Sequence, residues 1–182
     1  ALGADEQQAV RQVCPGIGLA HAPAVASGTA AYHPVWGPVA SVAAGHAVDP
    51  EIRRQASSGG VLSALLIHLL ESGQVDFVVH VQAAADDPLR NDAVISTSRD
   101  EIARGAGSRY APAAPVACLP QALARPGRFA FVGKPCDVAA VRKMIGRDPA
   151  LAPRIPFLLS FMCAGTPSLQ GTHEVLQRLN MP

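Results

Sequence analysis

The chain has 182 residues, of which 49% are hydrophobic and 16% charged, with a formal net charge of +1. That supplies a buried core for one domain, or one and part of another, and argues against intrinsic disorder. Near-neutral charge and 4% aromatics argue against a bulk pull toward nucleic acid or a base-stacking surface.

In chain order, residues 1–14 predict a short helix with Ala9, Val10 and Val13 on one side, ended by Cys14-Pro15-Gly16. Residues 15–40, rich in Gly, Pro and Ala, predict an extended, loop-rich stretch anchored by Trp36, and Val39 to Ala47 predicts a strand. Ser57-Ser58-Gly59-Gly60 runs into Val61 to Leu70, a helix that the serines would cap, Gly73 would stop, and most faces of which would be buried. Val75 to Val81 predicts a strand covered on both sides. Asp86-Asp87-Pro88 marks a turn, and Val94 to Ser96 a short strand. Ser98-Arg99-Asp100-Glu101 fits a capping box opening a helix.

Residues 105–115 predict a Gly/Ala/Pro loop, and Val116 to Ala124 a helix broken by Pro126-Gly127. The last third predicts a strand–helix–strand unit. Phe129 to Val132 is a strand, Gly133 to Cys136 a tight loop, Asp137 the cap of a helix to about Met144, and Ile155 to Phe161 a second buried strand. Such units pair their strands in parallel. His173 to Leu179 opens another helix. The expected fold class is α/β: a mixed or parallel sheet with flanking helices, Rossmann-like strand–helix–strand units and a loop-rich N-terminal stretch. A division is expected between residues 1–88 and 89–182, the second region continuing beyond the chain.

No apolar run reaches bilayer length, the longest being interrupted by Ser63 and His68. Ala1 to Arg11 lacks the pattern of a signal peptide. A cytoplasmic location is expected. The chain opens without methionine, so an upstream segment is expected too.

Four places could carry chemistry. Ligands bind beyond the carboxyl ends of parallel strands. Cys136 and Cys163 each follow such an end, which for neighbouring strands lie about 5 Å apart. Cys136 also opens a helix, where the dipole favours a thiolate, the ligand form for iron–sulfur clusters. Spacing alone nevertheless favours two unrelated thiols. Ser57, Ser58, Gly59 and Gly60 suit an anion at a helix N-terminus, or simply a cap. Gly107, Ser108, Arg109 and Tyr110 suit a planar anionic ligand, forked by the guanidinium and stacked by the ring, or a plain surface loop. Lys134 is either a partner for a ligand phosphate or flavin edge, or a solvated lysine. Cys14-Pro15 has the form of the end of a ferredoxin run, but Ala4, Gln7 and Val10 stand where its other cysteines belong. His68 is expected in the core. His21, His33, His46, His80 and His173 show no metal-ligand spacing.

Taken together, Trp36-Gly37, Asp49 to Arg53, Ser57 to Gly60 with its Leu-rich helix, and Val75-Asp76 resemble the N-terminal region of the coenzyme F420 hydrogenase/dehydrogenase beta-subunit family. Gly107 to Tyr110, Gly133 to Asp137 and Cys163-Ala164-Gly165 follow in the order of its C-terminal region. The resemblance runs from about Cys14 to Ser168. It implies a flavin-dependent oxidoreductase subunit moving electrons between FAD, a 4Fe–4S cluster and F420 or another two-electron partner. It implies flavin contact at Ser57 to Gly60, Gly107 to Tyr110 and Lys134, and cluster ligation by Cys136 and Cys163, with the remaining ligands outside this chain. The partner would be a redox subunit or a small electron carrier, with no nucleic acid and no membrane span. The rival expectations are a non-catalytic electron-transfer or docking subunit, and a thiol enzyme using Cys136.

Overall fold

The structure, a computed structural model, describes residues 2–19 and 31–181. Part of the loop-rich stretch expected over 15–40, and His21, therefore lie outside the described residues.

The centre is a four-stranded sheet of order β4-β3-β5-β6, built from β3 (Phe77–Ala83), β4 (Asn91–Ser96), β5 (Phe129–Gly133) and β6 (Phe157–Ser160). β3, β5 and β6 are parallel, and β4 returns antiparallel to β3. The sheet is thus mixed, and its pairing runs across position 88. Val/Phe-rich β3 and β5, buried on both faces, explain the parallel centre, whereas β6, expected to be buried, is a partly exposed edge strand. All five residues of β5 are buried.

Alternation along the strands sends side chains to two helical layers. Val78, Ala130 and Val132 pack with Ile52 of α2 (Pro50–Gln55), Leu66 and Leu69 of α3 (Val61–Glu71), and Ile102 of α4 (Arg99–Arg104). On the other face, Phe77, Val79, Phe129 and Phe131 pack with Leu119 and Ala122 of α5 (Leu119–Ala124) and Val141 of α6 (Pro135–Arg147). Val138, Val141, Met144 and Ile145 of α6 meet this cluster at helical spacing. The Phe77 and Phe129 rings stack at 5.0 Å. Burying each such ring contributes about 1.5–3 kcal/mol. The chain is completed by α1 (Ala4–Val13), a two-stranded hairpin of β1 (Ala31–His33) and β2 (Gly37–Val39), and α7 (Leu169–Arg178).

Several local expectations change. Trp36 is no anchor: it lies 62% exposed in the β1–β2 turn, where its backbone N–H donates to His33 Nδ1. The strand expected over Val39 to Ala47 stops at Val39. Its small side chains bury little except Ala47, whose N–H donates to Gly59 O instead of entering a ladder. The Leu-rich helix forms, but Val61, Leu65 and His68, at i, i+4 and i+7, are exposed, so His68 is not a core residue. Its N-cap is Gly60, without a side-chain cap bond, rather than Ser57 or Ser58. The helix after β5 opens at Pro135, so Cys136 sits in its first turn. Asp137 is its third residue and accepts the Lys134 N–H at 3.0 Å. The capping box Ser98–Glu101 is present as expected.

Candidate functional site

Three of the expected loops meet at the carboxyl end of the parallel strands. β5 ends at Gly133 and β6 at Ser160, which are register partners, and Ser160 Oγ donates to Gly133 O at 3.0 Å. Asn91, opening the antiparallel β4, pairs with Ala83 at the end of β3 and so belongs to the same edge.

The loop carrying Gly107 to Tyr110 is fastened along this edge. The Ser108 N–H donates to Ser57 Oγ at 2.8 Å, joining the two stretches singled out as flavin contacts. Ser57 therefore steadies the neighbouring loop rather than its own helix. Arg109 Nε donates to Asn91 Oδ1 at 2.7 Å, and Arg109 Nη2 to Pro88 O at 2.6 Å. Asn91 Nδ2 donates to Ala111 O at 3.0 Å. Lys134 Nζ donates to Ala113 O at 3.0 Å and pairs with Asp137 Oδ2 at 2.8 Å, which leaves its side chain 20% exposed. Lys134 is thus a half-buried tie between α6 and the loop, not a solvated lysine.

The Ser58–Gly60 turn is left-handed throughout, with φ of 51° at Ser58, 69° at Gly59 and 74° at Gly60. A non-glycine residue there costs about 1–2 kcal/mol. The glycines answer to the chain itself: a Cβ on Gly59 would stand 3.0 Å from His46 Cβ, and one on Gly60 3.0 Å from Ile52 O. α3 begins directly after this turn with no side chain over its first N–H groups.

Beside the loop lies a concavity of about 220 Å³, lined by Leu89, Ser108, Arg109, Tyr110, Ala111 and, from α7, Thr172. It is smaller than the roughly 300–1,000 Å³ of whole-ligand pockets, so it has room for part of a larger ligand. Tyr110 is 75% exposed, its ring available for stacking. A second, larger concavity of about 390 Å³ lies at the other end of β6, around Arg142, Ile155 and Phe157, away from every loop singled out in the sequence.

Cys136 and Cys163 are free, exposed thiols at the site's end of the sheet, and Cys163 Sγ approaches Gly165 O at 3.8 Å. Cys118 is buried, which pushes its thiol up. Among the described residues no group of three or more His, Cys, Asp or Glu side chains could hold a metal ion, and no helix is long and apolar enough to cross a membrane.

His80 and Ser96 are buried together within the sheet, with His80 Nε2 and Ser96 Oγ 2.7 Å apart. Burial pushes the imidazole down to about 4, against a smaller pull upward from a backbone bond at Val81 and from Glu101. Asn91, Pro88 and Thr172 are the site residues that sequence reasoning missed: Asn91 and Pro88 bond to the loop across 18 to 21 positions, with no local signature, and Thr172 lines the concavity.

Known proteins share this outline. The family model for the N-terminal part of the coenzyme F420 hydrogenase/dehydrogenase beta subunit matches residues 42–119, and the model for the C-terminal part of that beta subunit matches residues 127–182. The coenzyme F420 hydrogenase subunit beta of Methanococcus voltae is 35% identical over 101 residues, 54% of this chain and 36% of that protein. The corresponding subunit of Methanosarcina barkeri is 29% identical over 112 residues, 60% of this chain and 38% of its own. A coenzyme F420-dependent sulfite reductase of Methanocaldococcus jannaschii is 26% identical over 143 residues, 68% of this chain and 22% of its own. The chain thus spans well under half the length of these relatives. One protein of the F420-reducing NiFe hydrogenase complex of Methanosarcina barkeri, solved as a xenon derivative, superposes with a TM-score of 0.66 at 24% identity. The match covers 72% of this chain and 47% of that one, and shows the shared fold.

Proposed function

Because the chain belongs to the coenzyme F420 hydrogenase/dehydrogenase beta-subunit family, we propose that it is the flavin-holding part of an electron-transfer subunit in an oxidoreductase complex. The observation that carries this is the convergence of Ser57, Ser108 to Ala111 and Lys134 at one end of the sheet, around a cationic concavity with an exposed tyrosine. The residues fit the anionic half of FAD: a guanidinium beside an open concavity, and a side-chain-free helix start joined to the same loop through Ser57.

In this reading Arg109 holds phosphate oxygens. The N–H groups at the start of α3, behind Gly59 and Gly60, face further negative charge, and Tyr110 supplies an apolar surface for a ring. Gly107 lets the loop pass Gln55 O with left-handed φ of 97°. Lys134 works through the loop, holding Ala113 while Asp137 balances its charge. FAD, when bound, accepts electrons in pairs and releases them singly, so the chain need only bind, orient and tune it. Cys136 and Cys163 are proposed as part of a cluster site in the longer protein. Two thiols alone do not hold a cluster that takes four. The physiological partner would be a redox subunit or a small carrier such as F420.

The test is anaerobic purification of the full-length protein, with flavin and iron counted per chain. Near-stoichiometric FAD, with the near-ultraviolet and blue bands of oxidised flavin, is expected. A protein that neither retains nor rebinds FAD would instead be a docking subunit. A thiol enzyme finds less support, since among the described residues Cys136 Sγ makes no hydrogen bond to an activating base.

A further inference from the structure

Arg109 is held without being neutralised. Its two protein partners are the Asn91 amide oxygen and the Pro88 carbonyl, both uncharged. Three other arginines are paired with carboxylates, Arg54 with Glu51, Arg90 with Asp86 and Asp87, and Arg99 with Asp49 and Glu71, while Arg128 and Arg154, like Arg109, are held by neutral groups. Among the described residues no carboxylate lies within ion-pair distance of Arg109. A guanidinium carries five N–H groups. Two are used, on Nε and Nη2, and three remain beside the concavity that Arg109 lines.

Asn91 fixes this arrangement. Arg109 Nε can only donate and Ala111 O can only accept, so the Asn91 amide has one orientation that satisfies both. The side chain thereby spans the loop on either side of Tyr110, from the first residue of β4. Aspartate would keep the acceptor but cancel the charge and face Ala111 O with a second oxygen. A smaller residue would release both bonds.

We infer that Asn91 is a positioning residue that orients Arg109 while leaving its charge available to a phosphate or pyrophosphate group in the adjoining concavity. The nature of that group as part of FAD rests on the proposed flavin reading. The orientation of Arg109 does not.

The test measures FAD and riboflavin affinity in the full-length protein and its variants, riboflavin lacking phosphate. Asn91→Ala weakens FAD about fivefold, as expected for one net hydrogen bond. Asn91→Asp weakens it about tenfold or more, despite retaining the bond to Arg109, because it neutralises the cation. Riboflavin affinity changes by less than about twofold in both. In the Arg109→Ala background Asn91→Ala has no further effect. Equal losses in that background, or a milder effect of Asn91→Asp than of Asn91→Ala, would overturn the proposal.

If the parent binds no FAD, the flavin reading fails, and tryptic cleavage after Arg109 with and without inorganic pyrophosphate decides the positioning role. Protection of the parent that Asn91→Asp abolishes supports it, and absence of protection in the parent overturns it.

Discussion

The two ends of the central sheet use arginine in opposite ways. At the amino end of β5 and β6, Arg154 donates to the carbonyls of Gly127, Leu123 and Arg125 through all three of its nitrogens. Arg128 caps the same corner by donating to Gly73 O, while its backbone N–H meets Asp76. At the carboxyl end Arg109 takes one amide and one carbonyl and has donors left over, beside an open concavity. Both cations are held by neutral groups. One gives three of its five N–H groups to the chain and closes it, and the other gives two. Arg128 too has a neutral anchor and spare donors, so what sets Arg109 apart is the concavity it lines and the loops that converge beside it.

Both roles require a sheet that stays intact between its ends, and the largest expected effect probes that. His80, buried in β3 against Ser96, has its imidazole held down to about 4 from 6.5. Between these values the unfolded chain takes up a proton that the folded one refuses. Its contribution to stability is therefore complete above pH 6.5 and falls as the pH drops toward 4, by roughly 3 kcal/mol at most. Denaturant unfolding at several pH values should show that slope, and His80→Gln should flatten it. An unchanged slope in the variant would assign the acid sensitivity elsewhere.

The next effect breaks the strut. Arg154→Ala leaves three carbonyls at the amino corner without their donor and should lower stability by about 2–3 kcal/mol, read from denaturant midpoints. FAD affinity should stay put, since the change lies at the opposite end of the strands. A loss of FAD affinity without loss of stability would erase the distinction between the ends.

Much of the sheet was legible in the sequence because its signals are local. Phe129 to Val132, the box from Ser98 to Glu101 and the stop at Gly73 each declare themselves within a few residues, and each is present. Where the local signal was only composition, as in Val39 to Ala47, the expected strand gave way to a tertiary bond from Ala47 to Gly59. Ser57 shows the same override: its hydroxyl lies next to a helix start, but it is taken by Ser108, 51 residues away. The loops of the candidate site were named from their residue types and from family resemblance. What fastens them was not, because Asn91 to Ala111 and Lys134 to Ala113 join residues 20 and 21 positions apart, with no periodicity to mark them. The paired carboxyl ends of β5 and β6 followed from the strand–helix–strand pattern. Cys136 was expected in the loop before a helix capped by Asp137, whereas the helix opens at Pro135, one residue before Cys136.

On the proposed reading Arg109 serves a ligand and Arg154 serves the fold. The most direct measurement is FAD affinity and thermal midpoint in the full-length protein carrying Arg109→Ala, beside the parent. FAD binding is expected to weaken roughly tenfold to a hundredfold, the range for lost charge-assisted hydrogen bonds, with a midpoint close to the parent's. An Arg109→Ala protein that binds FAD as tightly as the parent would contradict it.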